Sequence, residues 1–140
     1  MNQTEVIKQG RSLEEVRKIF ADDKFATENG AVIEGIGDKY AKCSVVITEL
    51  HRNAMGAVMG GVYFMLADFT FAVAANWEKM GTVSLHSDIS FLGSAKGDKL
   101  TAEAVCVKDG KNTACYRIDV KDDLENLVAT VSTIGYHSVK

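Results

Sequence analysis

The sequence predicts an α+β domain in which an antiparallel β-sheet curls around one long central helix. Three observations point there. The stretch GGVYFMLADFTFAVAAN, Gly60 to Asn76, is apolar on nearly all sides when wound as a helix, and a helix of that kind has to be buried. Downstream, Thr82–Leu92, Lys99–Lys108, Thr113–Val120 and Leu127–His137 are strand-like runs separated by turn-forming clusters. Proline is absent throughout, and the connections are short. An apolar helix beside a set of sequential strands is stable only when each covers the other.

The elements follow in order. Ser12 precedes Leu13, Val16, Ile19 and Phe20, whose spacing puts them on one helical face, and Glu15 stands three residues after Ser12. That is a capping box opening a short amphipathic helix, which Asp22-Asp23 is expected to end. From Ala31 to Thr48, Val, Ile and Tyr are separated by Gly35 and Gly37-Asp38, the pattern of a two-stranded hairpin. His51–Met59 is small and polar, a loop. The central helix then runs from Gly60 to the region Lys79–Gly81. In the second half, Val83, Leu85, Ser87, Ile89 and Phe91 alternate along one strand, and Ala114, Tyr116, Ile118 and Val120 along another. Asp109-Gly110 favours a tight antiparallel turn, so the last four strands read as a meander.

Composition narrows the function. With 140 residues the chain fits a single domain, 1–140, with residues 1–30 as an N-terminal helical segment. A hydrophobic share of 46% and a charged share of 25% are those of an ordinary globular protein. The net charge of -3 supplies no basic field for nucleic acid or an anionic membrane. Cys43, Cys106 and Cys115 are odd in number and lack metal-ligand spacing, which speaks for a reducing, cytoplasmic setting without disulfides. The opening MNQTEVIKQGRSLEEV has no apolar core of leader type. Gly60–Asn76 is too short, and too interrupted by Asp68, to span a bilayer.

Asp68 is the only charged residue between Gly60 and Asn76. Either it occupies an open strip of the helix, or it is held in apolar surroundings where an unpaired carboxylate is costly and its pKa rises. At the helix mouth, Gly60-Gly61 lets a ligand approach free first-turn N–H groups, where the helix dipole favours negative charge. Such donors could form an oxyanion hole. Asn53 could add a side-chain donor, and Asp68, two turns further in, could act as general base or nucleophile.

The ordered residues His51-x-Asn53-x-x-Gly56-x-x-Met59-Gly60-Gly61, then Leu66-Ala67-Asp68, resemble a motif of hotdog-fold acyl-CoA thioesterases of the PaaI type. Phe91-Leu92-Gly93-Ser94-Ala95-Lys96-Gly97-Asp98-Lys99-Leu100 resembles the second signature of that family. The resemblance covers about Ala31 to His137. It implies hydrolysis of a small or medium acyl- or aroyl-CoA thioester, no cofactor beyond the CoA carried by the substrate, and active sites at the interface of a homodimer, often doubled to a homotetramer. It further implies Asp68 as the carboxylate that attacks or activates water, the Gly60 N–H as carbonyl polariser, Asn53 as an orienting group and Ser84 as a helper. Met59 departs from the pattern, which has histidine there. A thioether carries no proton but can line an acyl pocket beside Gly61, so the alternative expectation is a CoA-thioester binder that cleaves slowly or not at all. A hotdog hydratase is a third reading, against which the missing histidine counts.

Lys96 and Lys111 could meet CoA phosphates. Ser84, His86 and Asp88 hold triad chemistry, but at alternate strand positions their side chains stand parallel and ~6.6 Å apart. His51 and His137 read as structural or surface residues, and no cluster with metal-ligand spacing is apparent.

Overall fold

A computed structural model describes residues 10–139. The stretch 1–9, part of the segment read as lacking a leader core, lies outside the described residues. Two short helices come first, α1 (Leu13–Phe20) and α2 (Lys24–Glu28). The hairpin β1 (Val32–Gly37) and β2 (Tyr40–Val46) follows, then a single 3-10 turn at Glu49–His51 and the long helix α3 (Gly60–Asn76). Strands β3 (Thr82–Phe91), β4 (Lys99–Asp109), β5 (Thr113–Lys121) and β6 (Leu127–His137) complete the chain. All pairings are antiparallel, and the sheet order is β1-β2-β4-β5-β6-β3. The expected sheet wrapped around a central helix is therefore what forms. Among the described residues, no helix is long and apolar enough to cross a membrane.

Local chemistry explains most boundaries. The capping box forms as read: Ser12 Oγ accepts from the Glu15 N–H at 3.1 Å, and the Glu15 carboxylate accepts from the Ser12 N–H at 3.3 Å. Val16 and Phe20 are buried, and Phe20 meets Phe69 of α3 edge-on at 6.1 Å between ring centres. The apolar face of α1 is thus what docks it on α3. The helix α2 was not legible as such. It is one turn long, held by Thr27 Oγ1 donating to the Asp23 carbonyl (3.1 Å) and the Asn29 amide donating to the Phe25 carbonyl (2.6 Å).

The structure corrects three expectations. Helix α3 stops at Asn76 rather than near Lys79–Gly81. The Asn76 amide donates to the carbonyls of Ala72 and Thr82, both at 2.9 Å, and accepts from the N–H groups of Gly81 (3.0 Å) and Thr82 (2.8 Å). One side chain therefore closes the helix and starts β3. The meander is β4-β5-β6 only, because β3 crosses to the far edge and pairs with β6. Finally, a bulge between Ser84 and His86 breaks the alternation read along β3. Ser84 faces Gly135 and His86 faces the adjacent Ile134, so the two side chains stand on opposite faces of the sheet. The parallel triad face does not exist.

The core lies between α3 and the concave face of the sheet. Leu66, Thr70, Phe71 and Val73 from the helix are buried together with Val45, Leu100, Ile118, Val120 and Val131 from the strands. Small residues Ala41, Ala102, Ala104 and Ala129 at no more than 0% exposure let the sheet curl close to the helix. Phe71 meets Tyr116 edge-on with ring centres 5.3 Å apart. The wrapping is incomplete on one side. Gly61 and Asp68 are exposed, and Phe64, Met65, Ala72 and Ala75 are only half-buried. Their spacing makes one open strip along α3.

Candidate active site

The loop that precedes α3 is built to deliver Met59 and Gly60 in a fixed orientation. His51 is buried, its Nδ1 accepting from the Thr48 N–H at 2.9 Å while Nε2 meets the Asn29 carbonyl at 2.6 Å. This fixes the tautomer, with the proton on Nε2. His51 is thus a clamp between the α2 segment and the loop, the structural role expected of it. The Asn53 side-chain oxygen accepts from the N–H groups of Met55 (3.0 Å) and Ala57 (3.1 Å), and the Asn53 N–H reaches the Ala57 carbonyl at 2.7 Å. Asn53 therefore spends its oxygen on holding the turn, in which Gly56 has a φ of 83°. The Met59 N–H returns to the His51 carbonyl at 2.9 Å and completes the loop.

At the mouth of α3 the N-cap residue is Met59, which makes no side-chain cap bond. Of the first-turn N–H groups that every helix leaves over, that of Val62 donates to the Met59 carbonyl at 2.9 Å, and no Ser, Asp or Asn side chain caps those of Gly60 and Gly61. Gly60 leaves room for a neighbour: a Cβ there would lie 2.9 Å from Cε1 of Phe91, whose exposed ring would have to move. The Met59 methyl lies over Gly61, 3.4 Å from where a Cβ would be. The mouth is therefore narrow, walled by Phe91 and Met59, with backbone donors at its base.

Tyr63, one turn in, fixes the other rim. Its hydroxyl accepts from the Ala95 N–H at 3.0 Å and donates to the Gly93 carbonyl at 3.4 Å. The neighbouring Lys96 N–H donates to Asp122 at 2.9 Å. Burial alone would push the Asp122 carboxyl up, but bonds from the Asn126 side chain and from the N–H groups of Lys96, Asn126 and Leu124 hold it at about 2. Asp122 is thus an anionic hub for the rim loop. Gly97, with a φ of 82°, belongs to the same loop, and a Cβ there would lie 2.7 Å from Asp123.

Asp68 sits on the open strip above a hollow of ≈ 470 Å³, lined by Phe64, Met65 and Ala72 of the same helix and by Asp23, Phe25 and Ala26 around α2. Its carboxyl pKa is raised, first by burial against these apolar walls and then by the negative charge of Asp23. Part of the residue still meets solvent in the single protomer. A smaller hollow of ≈ 180 Å³ adjoins it at the helix mouth, lined by Leu50, Met59, Val62 and Met65.

These hollows bring together Asp68, Gly61 and Met59. Ser84 lies on edge strand β3 opposite Gly135, outside both hollows. Lys96 stands on the rim loop near the helix mouth. Lys111 lines a different hollow, with Trp77 and Met80, beyond the other end of α3. No group of three or more His, Cys, Asp or Glu able to hold a metal ion occurs among the described residues. Sequence reasoning gives no site role to Asp23, Phe25 or Phe91. Asp23 reads with Asp22 as a helix stop, Phe91 reads as a strand residue that opens the second signature, and Phe25 carries no signal.

Residues 55–129 match the family model described as the thioesterase superfamily. A putative esterase of Archaeoglobus fulgidus is 33% identical over 131 residues, covering 92% of this chain and 85% of its own. The chain belongs to the thioesterase superfamily. The acyl-coenzyme A thioesterase PaaI of Escherichia coli is 30% identical over 112 residues, 79% of this chain and 80% of the relative. The solved structure of the E. coli PaaI protein from the phenylacetic acid degradation operon superposes with a TM-score of 0.78 at 27% identity, covering 92% of this chain and 97% of that one. The fold and order of elements are thus those of a hotdog thioesterase of PaaI type, and the chain is a thioester hydrolase.

Proposed function

We propose that this thioesterase hydrolyses the CoA thioester of a small or medium acyl or aroyl group, with Asp68 as nucleophile or general base and the Gly60 N–H polarising the carbonyl. The observation that carries the reading is the open strip of α3, which sets one carboxylate over an apolar hollow on the helix whose first turn has uncapped donors. Asp68 either attacks the carbonyl carbon or takes a proton from the water that does. The electron pair passes to the carbonyl oxygen, held by N–H donors, and returns as the C–S bond breaks and CoA leaves as thiolate. If Asp68 attacks directly, water then cleaves the resulting anhydride and restores the carboxylate. No cofactor enters apart from the CoA of the substrate. The name of the E. coli relative supports CoA as the leaving thiol, and Lys96 on the rim loop would meet its phosphates. Free cysteines suit a reducing, cytoplasmic compartment.

The reading requires a second copy of the chain. Gly60 and Asp68 are eight residues apart on one helix, about 12 Å along its axis. A carbonyl needs its oxygen ~3 Å from the donor and its carbon ~3 Å from the nucleophile, so one protomer cannot supply both. Two open strips packed antiparallel about a two-fold axis would set Asp68 against Gly60 of the partner subunit and place Phe64 near the axis. Edge strand β3, ten residues long with Val83, Leu85 and Phe91 exposed, offers the unpaired backbone for a continuous sheet. Light scattering is expected to give a dimer or its doubled tetramer, and a monomer at micromolar concentration would exclude this arrangement.

The test is a panel of acyl- and aroyl-CoA thioesters with Asp68→Asn alongside. Turnover is expected to fall about 10²–10⁴-fold in the variant, and unchanged turnover would refute the assignment. Met59 favours one second reading, a CoA-thioester binder without useful turnover. Calorimetry showing tight binding with no thiol release over hours would select it.

A further inference from the structure

We propose, building on the Asp68 reading above, that Phe25 is the specificity-determining residue of this site and sets how long an acyl chain it takes. The two hollows share only Phe25, Gly61 and Met65. Gly61 and Met65 belong to the floor, the outer strip of α3. Phe25 alone comes from another element, so its ring is the partition between the Asp68 hollow and the Met59 hollow at the helix mouth.

The exposure of that ring is imposed by its scaffold. Phe25 is 76% exposed and forms one apolar surface patch with Leu50 (71%) and Met59 (55%) around the smaller hollow. The backbone beneath is pinned on both sides of it. The Phe25 carbonyl accepts from the Asn29 side chain at 2.6 Å, and the Ala26 carbonyl from the Ala31 N–H at 3.0 Å. The Asp23 carbonyl accepts from the Thr27 N–H at 3.0 Å, and the Asn29 carbonyl meets His51 at 2.6 Å. The last bond links the post carrying Phe25 to the loop that delivers Met59. The ring therefore stands between two hollows whose apolar walls are Phe64 and Ala72 on one side and Leu50 and Val62 on the other, with Asp23 and Lys24, and Asn29 and His51, at their polar margins. With the partner's strip as the roof proposed above and the ring in place, a chain whose carbonyl lies at Asp68 is confined to the hollow floored by Phe64, Met65 and Ala72. Without it, the chain can continue into the ≈ 180 Å³ hollow beside Met59.

The test is Phe25→Ala and Phe25→Trp in the full chain, measured on straight-chain acyl-CoA thioesters from acetyl to dodecanoyl. The same chain-length ladder is titrated as non-hydrolysable thioethers by calorimetry. The ratio of kcat/KM for the long to the short substrates is expected to rise at least ~10-fold in Phe25→Ala and to fall in Phe25→Trp, given the 10–200-fold worth of one methylene in an apolar pocket. Thioether affinities are expected to move in the same order. Equal changes at every chain length, or a loss of oligomer mass in Phe25→Ala with an unchanged length profile, would overturn the proposal and leave Phe25 a structural residue. If the natural chain turns over no thioester, the Asp68 reading falls, and the thioether ladder still decides for or against Phe25.

Discussion

The separation of Gly60 and Asp68 along α3 makes complementation between two inactive variants a decisive measurement. Asp68→Asn removes the carboxylate, and Gly60→Pro removes the donor. Proline is well suited to the first helical position, and the Phe91 ring, 57% exposed with Cε1 2.9 Å from a position-60 Cβ, is the group that must swing aside. Alone, Gly60→Pro is expected to lose about 10²–10³ in kcat and Asp68→Asn about 10²–10⁴. Mixed by co-expression, the two chains pair at random, and about half of the dimers contain one of each. In such a dimer one site combines both defects. The other combines the intact Asp68 of one chain with the intact Gly60 of its partner. Roughly a quarter of natural activity should therefore return, against about one percent or less in either parent. The assay is thiol release from acyl-CoA, with subunit exchange verified by native mass spectrometry. Activity that stays at the parental level despite verified mixed dimers would refute the shared site, and with it the pairing of Gly60 and Asp68 on one carbonyl.

Four further outcomes are expected. Because burial and the Asp23 charge raise the Asp68 pKa, the acid limb of the kcat/KM profile should report that group, and Asp23→Asn should move the limb to lower pH; a stationary limb would assign it elsewhere. The folded chain also holds the Asp68 proton more tightly than the unfolded one, so stability falls as pH rises from the ordinary carboxylate range through the raised value, and Asp68→Asn should raise Tm at pH 7 while lowering activity. Asp122 works with the opposite sign: held at about 2, it contributes stability above the unfolded carboxylate pKa of ~4 that is lost as pH falls toward 2. Asp122→Ala should cost about 2–4 kcal/mol in urea unfolding, since the Lys96, Leu124 and Asn126 donors lose their acceptor. Phe71→Ala, in the core at 2% exposure, should cost about 3–5 kcal/mol, whereas Phe64→Ala on the open strip should weaken assembly, read by light scattering, far more than folding.

The architecture was legible because its signals are local and repeated. A seventeen-residue helix with apolar residues on nearly all sides and four strand-like runs leave few packings, and the Ser12–Glu15 capping box is a direct reading of side-chain chemistry. What escaped depends on distant partners. The end of α3 is decided by Asn76 meeting Gly81 and Thr82 across a turn, and the flight of β3 to the sheet edge by pairing with β6, which follows it only after β4 and β5. At the site, the helix mouth and Asp68 could be found from composition and motif. Phe25 and Asp23 could not, because their relevance comes only from α2 lying against the open strip. Asn53 reads in sequence as a side-chain donor, and the fold adds an employment for its oxygen, as an acceptor inside the loop, that residue type alone does not show.

The position of Asp68 also relates assembly to chemistry. In a single protomer the carboxylate keeps a solvent-facing edge, while burial and the Asp23 charge already raise its pKa. Covering the strip with a second copy, as proposed, would remove that water and strengthen both effects already at work, burial and the Asp23 charge. The same contact would bring up the Gly60 donors of the partner subunit that one helix cannot place within reach. Nucleophile and oxyanion donors would then become competent in one step, and an unpaired chain would carry neither a dry carboxylate nor a complete site. On this argument the specific activity per chain should fall on dilution in parallel with the fraction of dimer, and activity that stays constant through dissociation would show that one protomer suffices.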